Sequence, residues 1–281
     1  MFMQILDGKL IREKNTPLLI EKIKSLSFVP CLAIIQVGNR PDSTSYIKAK
    51  KSFAKKIGIN EIHIQLDESV SQDEVINIIK KYNEDNSVQG IIVQLPLPIG
   101  LSSEIIINSI DSRKDVDGLT PLNIKRLVDG NENAIISATA RGINQLLKFY
   151  NIDLFAKKVT VVGRSTLVGK PIALMCLNEN ATVTVCHSKT NNLEEETKKA
   201  DVLIVAIGKP NFIGKNHVKS GQIVIDVGIS RQTDNTLTGD VNFEEVKDIV
   251  EMITPVPGGV GQMTVLALFE NLVDLCYSIR N

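Results

Sequence analysis

The chain has 281 residues, 43% hydrophobic and 23% charged, with Lys plus Arg equal to Asp plus Glu at 32 each. That balance gives no pull toward nucleic acid or an anionic membrane, and no apolar run approaches the ~20 residues of a bilayer helix. Such values suit an ordinary globular protein of one large or two modest domains.

The N-terminal stretch "MFMQILDGKLIREK" has an early acidic residue and no long apolar core, so it does not read as a signal or transit peptide. The first strand expected is "CLAIIQVG" at 31–38. A lysine-rich helix follows in "STSYIKAKKSFAKKIGI", 43–59. At about 100° per residue, Lys50 shares the apolar arc with Tyr46, Phe53, Ala54 and Ile57, whereas Lys48, Lys51, Lys55 and Lys56 fall on the polar face. A lysine on the apolar side snorkels, pairs or lines a cavity. In a cavity, desolvation lowers its pKa toward values useful for acid/base work.

"IHIQL" and "VQGIIVQLPL" are the next strands, with a helical pattern from Gln72 to Tyr82 between them. Gln94 sits in an apolar run near the end of its strand, where Pro96 and Pro98 stop it. It needs hydrogen-bond partners there: a lysine amine, a substrate amide or nearby backbone. In "DSRKDVDGLTP" the DxDG fragment lacks an oxygen ligand at Arg113 and a final glutamate, which excludes a calcium loop. A carboxylate in such a turn can instead accept a fork of N–H donors. Polar turn residues in "VDGNENAIISATARG" mark a break, so a second lobe is expected to start near Ala138.

The second lobe holds four strand runs, "KVTVVG", "ATVTVC", "DVLIVAIG" and "QIVIDVG". Near-continuous apolar strands alternating with helices indicate a parallel α/β sheet. "KVTVVGRSTLVGKPIALMCL" reads as strand, glycine turn and helix, the context in which backbone N–H groups at a helix start hold a pyrophosphate. Its spacing is irregular, because Ser165 and Val168 stand where GxGxxG needs glycine and Gly169 comes one step late; the Walker pattern fails as well. The next strand ends in "HSKT" without the carboxylate that usually binds a ribose 2′-OH. Ser188, Lys189 and Arg164 suit a 2′-phosphate, so NADP is read over NAD. Gly208 and Gly228 close two later strands, either as ligand approaches or as plain turns. "TPVPGGVGQMT" forms a rigid loop before a final helix at about Gln262 to Ile279.

The cysteines Cys31, Cys176, Cys186 and Cys276 form no CxxC pair and sit in apolar surroundings, as buried thiols in a reducing, cytoplasmic compartment would. His63, His187 and His217 are too scattered to suggest a zinc site, and no metal is expected.

The segments "SYIKAK", "VQGIIVQLPLP", "KDVDGLTP", "VVGRSTLVGKP", "TVCHSKT", "GDVNF" and "TPVPGGVGQMT" run in order over nearly the whole chain. Together they resemble the bifunctional methylenetetrahydrofolate dehydrogenase/cyclohydrolase family. The resemblance implies two α/β lobes with a cleft between them, the second a Rossmann-like doubly wound parallel sheet. Residues 1–137, completed by 262–281, would bind folate, and 138–261 would bind NADP. Two chains would pair through the middle lobe. The chain length would leave no room for an appended synthetase domain. Lys50 would be the catalytic lysine, Tyr46 would stack on the folate, Gln94 would tune Lys50, and Asp117, helped by Asp115, would hold the pterin. Pro255, Gly258 and Gly259 would line the folate site. Thr139, Gly163, Arg164, Ser165, Ser188 and Ile229 would hold NADP. The implied activity is oxidation of 5,10-methylenetetrahydrofolate followed by hydrolysis to 10-formyltetrahydrofolate. A dehydrogenase without cyclohydrolase activity, or a silent nucleotide-binding protein, are the other readings. Retention of Lys50 and Gln94 speaks against the first, and the set Tyr46, Lys50, Gln94 and Asp117 against the second. The chain departs from the family in "SATA", which keeps only Thr139 of P-C-T-P, and in Gln262, where proline usually stands.

Overall fold

Residues 3–232 and 236–278 are described in a computed structural model. The chain opens with β1 (Gln4–Ile5) and α1 (Gly8–Lys24), followed by β2 (Cys31–Val37), α2 (Pro41–Ile57), β3 (Asn60–Leu66), α3 (Gln72–Glu84), β4 (Gly90–Val93), α4 (Ser103–Asn108) and α5 (Pro121–Val128). It continues through α6 (Ala138–Phe149), β5 (Lys158–Val162), α7 (Gly169–Asn178), β6 (Thr182–Cys186), α8 (Leu193–Lys199), β7 (Val202–Val205) and β8 (Ile223–Asp226). A short hairpin β9 (Ser230–Arg231) and β10 (Leu237–Thr238), then α9 (Phe243–Val246), β11 (Met252–Ile253) and α10 (Val260–Ser278) complete it. All seven expected strands are present, as is the helix read from Gln72.

The chain divides into two compact units. One comprises Lys14–Ala138 and Val265–Asn281. Its parallel sheet has the order β3-β2-β4. Every residue of central β2 is buried, as both-face coverage of a parallel strand requires. Ala33, Ile35 and Val37 pack with Val75 and Ile79 of α3 and with Ile91 and Val93 of β4. Helix α2 starts with Pro41 in its first turn and Asp42 beside the positive helix end, and Gly58 closes it at φ 79°. Helix α3 carries a full capping box between Ser71 and Glu74.

The other unit comprises Met1–Glu13 and Thr139–Thr264. Its six-stranded sheet has the order β1-β11-β8-β7-β5-β6, parallel throughout. From β5 the chain adds β6 on one side and β7 on the other, which makes the C-terminal ends of β5 and β7 a topological switch point. The first unit has the same feature at β2 and β4.

Two boundaries differ from the sequence reading. The N-terminal segment groups with the second unit, because β1 pairs with β11 through Gln4↔Met252 and Ile5↔Ile253. The final helix is shared: its start groups with the second unit and Val265 onward with the first. All four cysteines are free and buried. No helix among the described residues is long and apolar enough to cross a membrane.

Candidate active site

In the first unit, α2 and the β4 end supply a lysine–glutamine pair. Ile47, Lys50, Phe53, Ala54 and Ile57 form the buried side of α2, and Lys50 is only 8% exposed. Its Nζ donates to Gln94 Oε1 at 2.9 Å. Gln94 follows β4 directly and is held twice: its backbone N–H donates to Ile35 O and its Nε2 to Leu95 O, both at 2.8 Å. The amide oxygen therefore faces Lys50 in a fixed orientation. Burial pulls the Lys50 amine down from 10.5 to about 8, with the Asp117 charge opposing. Burial likewise raises the Asp117 carboxyl; Lys50 opposes that shift, Asp115 adds to it, and the Ala138 N–H opposes it by donating to the carboxylate. Tyr46, one turn before Lys50, is 37% exposed, more than its place in the apolar arc suggested. The remaining lysines of α2 keep to the solvent side, where Lys51 pairs with Glu61 at 3.3 Å.

The two acids of DVDG part company. Asp115 is 1% exposed. Its Oδ2 accepts the Thr120 N–H at 2.8 Å and the Asn123 amide at 2.9 Å, so it ties the turn to the start of α5. Both bonds are scaffold contacts that fix the carboxylate in the turn. Asp117 is half-buried and faces Lys50 electrostatically. Sequence reading missed Asn271, fully buried on α10, whose Nδ2 donates to Val116 O at 2.8 Å and to Ile136 O at 2.9 Å. The signal was a lone amide in the apolar run "TVLALFENLV".

In the second unit, Gly163 follows β5 at φ 128°, and a Cβ there would meet Ala206 O at 2.2 Å. A Cβ on Gly169 would lie 2.2 Å from Gly163 O. The late glycine thus does the work of the third glycine in a dinucleotide fingerprint: it lets helix and strand end approach closely. The helix start differs from the expected cradle, because the Val168 and Gly169 N–H groups donate to Ser165 Oγ at 3.2 and 3.3 Å. Arg164 and Ser165 remain exposed beside it, and Ser188 is exposed in the turn after β6. That turn is ordered by Thr190 N–H to His187 O at 2.8 Å and by His187 N–H to Thr190 Oγ1 at 2.8 Å. A tight glycine pair at a switch point, with exposed cation and hydroxyl donors, fits a phosphorylated dinucleotide.

The other residues named from the sequence also fall in this unit. Thr139 lies in the first turn of α6, its hydroxyl 3.5 Å from that of Thr264. Ile229 follows β8, its Cδ1 2.8 Å from where a Gly261 Cβ would stand. The Pro255–Gly259 loop closes with Gly259 N–H to Pro255 O at 2.9 Å and packs on the start of α1, where Lys9 N–H donates to Gly258 O at 3.0 Å. Gln262 starts α10 with its Oε1 buried and without a partner, so the residue replacing proline leaves a polar atom unsatisfied.

Known proteins resemble this chain over nearly its whole length. Residues 6–117 match the family "Tetrahydrofolate dehydrogenase/cyclohydrolase, catalytic domain", and 137–279 match its "NAD(P)-binding domain". The chain is 48% identical over 272 residues to "Bifunctional protein FolD" of Bacillus subtilis (strain 168), covering 96% of each. The solved structure of the bifunctional FolD methylenetetrahydrofolate dehydrogenase/cyclohydrolase from Campylobacter jejuni superposes with a TM-score of 0.95 at 44% identity, covering 99% of each chain. The Trypanosoma brucei FolD, solved with NADP cofactor and an inhibitor, superposes with a TM-score of 0.94 at 30% identity, covering 100% of each.

Proposed function

This chain belongs to the tetrahydrofolate dehydrogenase/cyclohydrolase family, and from that premise we propose how its own residues divide two consecutive reactions. It is a bifunctional, NADP-dependent enzyme of one-carbon metabolism. It oxidises 5,10-methylenetetrahydrofolate to the 5,10-methenyl cation and hydrolyses that cation to 10-formyltetrahydrofolate. The observation that carries the residue assignment is the buried Lys50, bonded to Gln94 and shifted to about 8.

In the proposed hydrolysis, neutral Lys50 takes a proton from the water that attacks the methenyl carbon. The same group then serves proton delivery to the departing ring nitrogen, with one net proton released per turnover. A cationic substrate beside Lys50 favours its neutral form further. Gln94 orients the amine. Asp117 accepts N–H donors of the pterin edge, and Tyr46 stacks on the folate. Asp115 supports Asp117 through the turn it holds. For Pro255, Gly258 and Gly259 the proposed role is folate contact, supported by their tight, rigid loop.

Bound NADP+ accepts a hydride from the bridging carbon. Gly163, Arg164 and Ser165 would hold its phosphates, Arg164 and Ser188 its 2′-phosphate, and Ile229 and Thr139 the nicotinamide half. Residues 139–264 would be the dinucleotide lobe and 14–138 with the end of α10 the folate lobe. A homodimer through the dinucleotide unit belongs to the same proposal, supported by edge strand β6 with Val185 40% exposed. A cytoplasmic location is supported by four buried free thiols.

The test is nicotinamide reduction on adding methylenetetrahydrofolate with NADP+ and NAD+ in parallel, followed by hydrolysis of added methenyltetrahydrofolate. Turnover with NAD+ alone would overturn the reading of Arg164 and Ser188. Absence of hydrolysis would overturn that of Lys50.

A further inference from the structure

Two buried acids in the second unit have no part in the assignments above. Asp226 ends β8 and Asp240 stands in the "GDVNF" segment; they are 4% and 0% exposed. Glycines make room for both. A Cβ on Gly228 would lie 2.2 Å from Asp240 Cγ, and one on Gly239 would lie 1.8 Å from Asp226 Oδ2.

Together the carboxylates gather five backbone donors. Asp226 Oδ1 accepts the Gly228 and Asp240 N–H groups, and its Oδ2 accepts that of Val241, each at 3.0 Å. Asp240 Oδ2 accepts the Ile207 N–H at 2.7 Å and the Gly208 N–H at 2.9 Å. The Asp226 backbone N–H is fixed in turn by Thr254 Oγ1 at 2.7 Å. Asp240 Oδ1 is buried with no partner. Burial pushes the Asp226 carboxyl up to about 7; the Asp240 charge pushes the same way, against the three donors.

Three of the donors, Ile207, Gly208 and Gly228, belong to the segments that leave β7 and β8 at their C-terminal ends, where open parallel sheets bind ligands; the other two, Asp240 and Val241, follow β10. Ile207 and Gly208 follow Ala206, whose carbonyl packs on Gly163 and whose N–H donates to Val162 O at 2.8 Å. Gly228 precedes Ile229. One continuous set of contacts thus runs from the glycine turn after β5, through Asp240 and Asp226, to Ile229. Leaving two carboxylates and an unpaired oxygen in a dry interior is costly unless the arrangement they enforce is needed.

We propose that Asp240, acting with Asp226, is a positioning residue for hydride transfer: it sets the 207–208 and 228–229 segments against the nicotinamide half of NADP. The proposal rests on the reading of this unit as the dinucleotide lobe. The protein's second activity supplies a control, because hydrolysis of methenyltetrahydrofolate needs no hydride acceptor.

The experiment compares full-length Asp240→Ala, Asp240→Ser and Asp240→Asn with the unaltered enzyme. Asn keeps an acceptor oxygen for Ile207 and Gly208, whereas Ser withdraws it and Ala removes it. Dehydrogenase kcat and the KM for NADP+ are measured beside cyclohydrolase turnover of added methenyltetrahydrofolate. Expected is a loss of about tenfold or more in dehydrogenase kcat/KM for Ala and Ser, cyclohydrolase within about twofold, and recovery of most dehydrogenase activity in Asn. Unchanged dehydrogenase in Ala or Ser overturns the proposal, as does a proportional loss of both activities, which marks a purely structural role. Should Ala fail to fold, Ser carries the same comparison. Failure of the unaltered chain to bind NADP+ would instead sink the reading of the unit itself.

Discussion

Lys50 Nζ donates to Gln94 Oε1 at 2.9 Å, across 44 residues of sequence. The contact joins a helix face to the end of a parallel strand and leaves the lysine little freedom. Lys50→Met keeps the apolar stem and removes the amine, so the packing of α2 should survive. Cyclohydrolase turnover should fall by about 10²- to 10⁴-fold, with NADP+ binding measured by titration unchanged. Full hydrolysis by this variant would end the assignment of Lys50.

Gln94→Asn shortens the side chain by one methylene and withdraws its oxygen from Lys50. A misplacement of that size costs up to about 10²-fold in rate. Cyclohydrolase kcat should drop while thermal stability changes little. An unaltered kcat would show that Lys50 needs no orienting partner.

Lys50 sits near 8 in the folded chain against 10.5 ordinarily. The kcat/KM of hydrolysis should therefore rise with pH, with a midpoint near 8, and level off above it, and the kcat midpoint should lie lower because the bound cation favours the neutral amine. Stability follows the same direction: between about 8 and 10.5 the unfolded chain binds the extra proton, so folding gains as pH rises through that window. A flat cyclohydrolase profile from about pH 6.5 to about pH 9 would contradict the mechanism.

Asp226 carries the opposite sign. Its folded carboxyl lies near 7, raised from 3.8 by burial. Between those values the folded chain binds more protons than the unfolded one, so this group's contribution to stability declines as pH rises. Asp226→Asn should remove that slope. The difference in urea midpoint between variant and unaltered protein should shift in favour of the variant from about pH 5 to about pH 8. A constant difference would mean that Asp226 does not titrate there.

Asn271→Leu should destabilise the first unit by about 2 kcal/mol, since the buried Val116 O and the part-buried Ile136 O lose their donor. Those carbonyls flank Asp117 and Ala138 in sequence, so folate affinity should weaken as well. Thermal unfolding and a folate-analogue titration check both halves. Unchanged melting would show that the carbonyls find other partners.

Seven of the strands, the helices α2, α3, α7 and α10, and the place of Lys50 were legible in the sequence. Each rests on local periodicity: a β-branched run between turns, or the phase of one residue on a helix face. Tertiary structure decided the rest. The two-residue strand β1 has no sequence signal, because its pairing energy comes from Met252 and Ile253, nearly the whole chain away. Asp115 and Asp117 look alike in DVDG, yet register and the partners Thr120 and Asn123 bury one as a strut and leave the other facing Lys50. The phosphate loop looked one residue too long, and only the approach of Gly169 to Gly163 O shows how the extra residue is absorbed. The clamp of Asp226 and Asp240 joins segments that periodicity treats as separate turns. Local sequence sets what each segment prefers to be. Which polar atoms become buried, and who satisfies them, is settled only when distant segments meet.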